Sequence, residues 1–159
     1  MVDYSQLMLK KFASEFNEDI DCFFRQGYVD DSLNYEVGPS YINMLTDNII
    51  AKPKGKVFMY VNVIEGITNN ASIGLKVLQE DPFTLQFRVY TPNGLSFKES
   101  KDIEAKLDLI FKRKDFVFDS VCINSDTVSP KDKSMNLAES EDGFHVLSIN
   151  YRYLCRYFD

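Results

Sequence analysis

From His145 to Phe158 the chain alternates without a break. His145, Leu147, Ile149, Tyr151, Tyr153, Cys155 and Tyr157 fall on one side, and Val146, Ser148, Asn150, Arg152, Leu154 and Arg156 on the other. A period of two marks a β-strand with one face on a core, and no helix satisfies it. At about 3.3 Å per residue such a strand runs roughly 45 Å, whereas a domain of this length is about 40 Å across. It has to bend, carry a bulge or project beyond the globule. A projecting strand edge invites aggregation unless a defined partner covers it. The feature points to a sheet protein and hints at assembly.

The other elements fit around that strand. Phe83, Leu85, Phe87 and Val89 alternate with Thr84, Gln86, Arg88 and Tyr90, which predicts a second half-buried strand. Lys56 to Glu65 is β-branched and aromatic on both faces, as in a central strand covered on both sides. Phe116 to Ile123 reads as a third long strand. Leu9, Phe12, Phe16, Ile20 and Phe23 recur at steps of three and four, predicting an opening helix over residues 4–25, capped by Asp3 and stopped at Gly27. Thr91-Pro92-Asn93-Gly94 is a turn, and Ser96 with Glu99 forms a capping box for a helix reaching about Lys114. Its buried stripe is Ile103, Leu107, Ile110 and Phe111. Residues 27–46 lack a clean period apart from a short strand near Tyr41, and 124–142 read as a long polar loop or arm. The fold expected is a single α+β domain over 1–159. It has a mainly antiparallel sheet of about four long strands, with two packed helices and the N-terminal helix first.

Composition narrows the function. The 159 residues are 45% apolar, enough for a sizeable core. No apolar run approaches the roughly 18 residues of a membrane span. The acidic start, Met1-Val2-Asp3-Tyr4, leads into helix rather than a secretory signal, so a cytosolic origin is expected. A net charge of −6 is a poor footprint for gripping DNA.

Nothing in the chain reads as catalytic. His145 is the only histidine and falls in register with core-facing residues, so no base stands ready for a nucleophile. Cys22, Cys122 and Cys155 are widely spaced, which predicts free thiols rather than a zinc site. The acids Glu15, Glu18, Asp19 and Asp21 read as a solvated helix face, and Lys112-Arg113-Lys114 as cations at a helix C-terminus. No glycine-rich phosphate cradle is present, so no cofactor or metal is expected. The candidate functional residues are instead those of an interface. Arg88, Arg152 and Arg156 share the polar sheet face with Gln86 and Asn150, and arginine is enriched where carboxylates are desolvated against it. Asn124, Asp126, Lys131 and Lys133 of the polar arm join them.

The order of features resembles the tail terminator, or tail completion, proteins of long-tailed bacteriophages, the lambda-like group. The resemblance covers 48–159. It rests on Asn48 and Pro53 ahead of the first long strand, on YVNVIEGIT closing that strand, and on Ala71-Ser72-Ile73-Gly74 after it. It continues with a strand entering a Pro-x-Gly turn (FRVYTPNGLS), a helix ending in Ile110-Phe111, and the tyrosine-rich last strand INYRYLCRY. The chain departs from the pattern at Glu80-Asp81-Pro82. The resemblance implies a structural, non-enzymatic virion protein assembled in the host cytoplasm. It would form a ring, six-fold in the family, at the head-proximal end of the tail. Its partners would be other copies of itself, the tail tube protein and the head-completion or connector protein, with genomic DNA passing through the lumen unbound. The runner-up readings are a tube or connector subunit and a small-molecule-binding module.

Overall fold

A computed structural model describes residues 4–18, 20–25, 41–44, 55–67, 69–70, 78–119, 121–136 and 144–158. In chain order these are helix α1 (Tyr4–Glu15), strands β1 (Asp21–Arg25), β2 (Tyr41–Met44), β3 (Phe58–Glu65), β4 (Asn69–Asn70) and β5 (Leu78–Pro92), then helix α2 (Lys98–Phe111). Strands β6 (Phe116–Phe118), β7 (Val121–Ser125), β8 (Lys131–Asn136) and β9 (Phe144–Phe158) follow. The α+β class is as expected, but the described sheet has nine strands rather than about four. Its path runs β2-β1-β3-β5-β9-β7-β6, with β4 on β5 and β8 on β9. It is antiparallel except at β1, which lies parallel to both β2 and β3.

The spine is the pair β5 and β9, each 15 residues long and matched one to one from Leu78↔Phe158 to Pro92↔Phe144. No bulge interrupts this register. The length of β9 is accommodated because β5 runs beside all of it, while β7 and β8 take its other edge. The terminal strand is therefore interior, not a projecting edge. Pro82 is tolerated inside β5 because it opposes Leu154, whose backbone turns away from β5, so the missing N–H faces past the end of β3. There Gly66 donates its N–H to the Pro82 carbonyl at 2.8 Å, and a Cβ at position 66 would meet that same oxygen at 2.8 Å.

One face of the sheet carries both helices. Phe12 from α1, Phe16 just past its end, and Ile103, Leu107 and Phe111 from α2 pack on Val61, Leu85, Phe87, Ile149 and Tyr151. The Phe87 ring lies 5.3 Å from Phe12 and 5.5 Å from Phe111. Tyr153 reaches across to donate its hydroxyl to the Phe111 carbonyl at 2.5 Å. On the opposite face a smaller cluster of Phe58, Tyr90, Phe144 and Val146 is also buried, as the two-faced pattern of the 56–65 segment predicts.

Five expectations are corrected. The opening helix stops at Glu15, and residues 21–25 form β1 instead. Asn17 and Asp19 are weak helix formers, and the Cys-Phe-Phe run after them favours a strand. The capping box does not close: α2 begins at Lys98 with Phe97 at the cap position, and Ser100 donates its hydroxyl to the Phe97 carbonyl at 2.9 Å. The Phe97 ring stands edge-on to His145 at 5.4 Å, which anchors the chain there. At its other end α2 finishes at Phe111, because Arg113 adopts a left-handed φ of 56° that no helix continues through. The 116–123 strand folds back on itself at Asp119 (φ 50°), a residue type that tolerates this region, giving the β6–β7 hairpin.

The fifth correction concerns the polar arm. Residues 124–125 extend β7, and 131–136 form β8 along β9 from Lys131↔Tyr151 to Asn136↔Val146. The segment is mostly polar but has a buried side, because Met135 packs against the core and Lys131 and Lys133 lie over α2 and meet acids there. The expectations at Asp3, Gly27, most of 27–46, the 71–74 segment and 137–142 lie outside the described residues.

The three thiols differ in access. Cys22 and Cys155 are buried, and burial, with the Asp81 and Cys122 charges, pushes the Cys155 thiol up to about 12. Cys122 is exposed. A thiol-reactive dye is expected to label Cys122 in the native protein and the other two only after denaturation. Fast labelling of all three without denaturant would contradict the packing of β9 on β5.

Candidate assembly surface

The expected interface residues gather around β9, but on two sides of it. Arg88, Arg152, Arg156 and Asn124 lie on the face away from the helices, since their positions pair in register with Ser148, Thr84, Glu80 and Leu154. Lys131 and Lys133 lie on the helix side, opposite Tyr151 and Ile149.

On the face away from the helices the arginines are held within the subunit. Arg156 donates to Glu80 at 2.7 Å. Arg152 pairs with Asp132 and donates to Ser129 Oγ at 3.2 Å. The Arg88 guanidinium sits 5.4 Å from the centre of the Tyr90 ring. Between them Asn62, Gln86 and Asn150 form a row of amides across β3, β5 and β9. Asn150 donates to Asp132 at 2.8 Å, while the buried Oδ1 atoms of Asn62 and Asn150 find no partner among the described residues.

The connection from β7 to β8 is a built turn. Asp126 Oδ1 accepts the N–H groups of Val128 (2.8 Å) and Ser129 (2.9 Å), and these bonds hold its carboxyl below the ordinary range. Arg152 ties the turn down through its backbone as well. Its N–H donates to the Pro130 carbonyl at 3.1 Å, and its carbonyl accepts from the Asp126 N–H at 2.9 Å.

That pair of bonds fixes which way β8 faces. The backbone of Arg152 points toward β7 and β8, so alternation points Asn150, Ser148 and Val146 the same way, onto Asp132, Ser134 and Asn136. The N–H and C=O groups of Lys131, Lys133 and Met135 therefore point outward. Among the described residues no strand takes them.

The lysines that would ordinarily guard such an edge are engaged elsewhere. Lys131 Nζ lies 2.5 Å from Glu104 and 2.8 Å from Asp108, with its side chain 11% exposed. Lys133 reaches the other oxygen of Glu104 at 3.1 Å, and Tyr151 donates its hydroxyl to Asp108 at 2.7 Å. Burial pushes the Glu104 carboxyl upward, but the bonds and charges of Lys131 and Lys133 outweigh it, and the net shift is downward. Burial likewise pulls Lys131 down, and its two carboxylates more than reverse that. This clasp of α2 to β8 and β9 is absent from the sequence reading. Its one sequence signal is two acids four residues apart alongside the Ile103, Leu107 and Phe111 stripe.

Among the described residues no group of three or more histidines, cysteines or acids is placed to hold a metal ion, and no helix is long and apolar enough to cross a membrane. No protein-family model matches the chain, and no curated protein matches it in sequence.

Proposed function

We propose that this chain is the subunit of a ring that closes the head-proximal end of a bacteriophage tail, ending tube growth and presenting the surface to which the head joins. The observation that carries the reading is the outer edge of β8, which no strand takes among the described residues. Subunits that close into a ring join unlike surfaces by rotation, so each needs a donor flank and a different acceptor flank. An unpaired strand edge is one such flank, because a neighbouring chain can add a strand to it through backbone bonds alone. The sheet path ends at β2 on the far side, which is a different surface. The ordered motifs of the last two thirds of the sequence support the same reading, and a net charge of −6 suits a ring through which DNA passes without being held.

The test is tube growth. Added in small amounts to its polymerising cognate tube protein, the chain is expected to shorten the tubes and leave capped ends. Lys133→Pro removes an outward N–H and no bond to β9, and Lys133→Met loses the same pair with Glu104 but keeps the N–H, so capping is lost in the first and kept in the second. Tubes whose length ignores the wild-type chain would overturn the proposal, and stacking of the chain itself would make it a tube subunit.

A further inference from the structure

In the ring proposed above, a neighbour's strand that takes the outward groups of β8 continues the sheet from one subunit into the next. Backbone bonds hold adjacent strands about 4.8 Å apart along their whole length. Strands set like spokes would spread apart with distance from the axis, which those bonds forbid. A sheet that closes through successive copies is therefore the wall of a barrel, with one face turned to the bore and one to the outside.

The two faces are unequal. Both described helices pack on one of them, and a second layer needs the larger circumference, as the helices around a closed β/α barrel do. The other face is closed toward Pro92 by the buried cluster of Phe58, Tyr90, Phe144 and Val146. Beyond that cluster its centre is polar. The half-buried amides of Asn62, Gln86 and Asn150 cross it, and the two arginines that follow along β9 each meet an acid of the same subunit. Arg152 pairs with Asp132, and Arg156 with Glu80 at 2.7 Å. Phosphates are gripped where unpaired cations displace their counterions. Here the cations of each subunit are cancelled at close range, so a ring of such faces offers polar groups without a positive lining.

We infer, resting on the ring reading, that the sheet face away from the helices lines the bore, and that Asp132 and Glu80 keep Arg152 and Arg156 from gripping the phosphates of duplex DNA in transit. Cys122 reports the orientation without any substitution. It is exposed where Cys22 and Cys155 are buried, and its register with Arg156 puts it on that same face.

The experiment labels the full chain sparsely at Cys122 with maleimide nanogold, assembles it alone or on cognate tube ends, and images end views in negative stain. Gold is expected inside the bore. Gold at the outer perimeter of closed rings would overturn the inference and leave the ring standing, whereas a failure to form rings would overturn the ring reading and this inference with it. The second arm measures binding of short duplex DNA to assembled rings by fluorescence anisotropy. The variant Asp132→Asn, Glu80→Gln frees both arginines and is expected to bind at least about tenfold more tightly than the wild type at low salt. The gain should fade as salt rises from about 50 to 300 mM, as screening requires. Its melting temperature should stay close to that of the wild type, because ion pairs this exposed contribute little to stability. Rings of both proteins that bind duplex DNA equally would overturn the role given to the two acids.

Discussion

Phe111→Ala is expected to cost about 3–5 kcal/mol of folding stability, the usual range for emptying a buried aromatic site. Phe111 is 1% exposed at the meeting point of both helices and the sheet. Its ring has Phe87 at 5.5 Å, Tyr151 at 5.8 Å, Phe116 at 6.1 Å and Phe12 at 6.4 Å. These neighbours are themselves packed into strands or, for Phe12, into α1, and cannot collapse into the gap, which places the cost toward the upper end. Against a typical total of about 5–15 kcal/mol the variant is barely folded. In urea the midpoint should drop steeply with little change in slope, the sign of lost stability rather than a changed unfolded state. A loss below about 1 kcal/mol would mean the rings are not packed as one core.

Lys131→Met carries the second large effect, about 3 kcal/mol. Breaking a buried pair by removing one partner usually costs 3–5 kcal/mol, and the low end applies because Lys133 still reaches Glu104 and Tyr151 still donates to Asp108. Adding Glu104→Leu should recover most of the loss, since an apolar contact replaces a buried carboxylate left with only the exposed Lys133 as partner. The pH dependence separates the clasp from simple packing. The folded-state carboxyl of Glu104 lies below its ordinary 4.5, so its contribution is complete above that value and is lost as the pH falls through the lowered one. Lys131 titrates above its ordinary 10.5, so its share is complete below that value and is lost as the pH climbs through the raised one. Lys131→Met should therefore flatten the acid limb of the stability curve. Equal stability and an unchanged acid limb would show that the clasp contributes nothing.

Where hydropathy alone decides the structure, the sequence was readable. The alternation of β5 and β9 gave their faces residue by residue, and the stripe of α2 gave Ile103, Leu107 and Phe111 as its buried side. Where a decisive partner lies far along the chain, it was not. Lys131 and Lys133 look solvated until Glu104 and Asp108 stand opposite them, so β8 reads as loop. The arginines of the face away from the helices look available for a partner until Glu80 and Asp132 meet them across the sheet. Local signals were also outvoted by pattern. The apolar steps beyond Phe16 continue a helical period by coincidence, and Asp119 turns a run that reads as one strand into a hairpin. The outward face of β8, which no strand takes among the described residues and on which the proposed function turns, follows from the backbone direction of Arg152. No reading of side-chain chemistry reaches it.

Native mass spectrometry with negative-stain imaging of the full chain, alone and with its cognate tube protein, tests the ring directly. The account predicts closed rings of one size, about six subunits, formed freely or on tube ends. A monomer at every concentration, indifferent to tube protein, would contradict it.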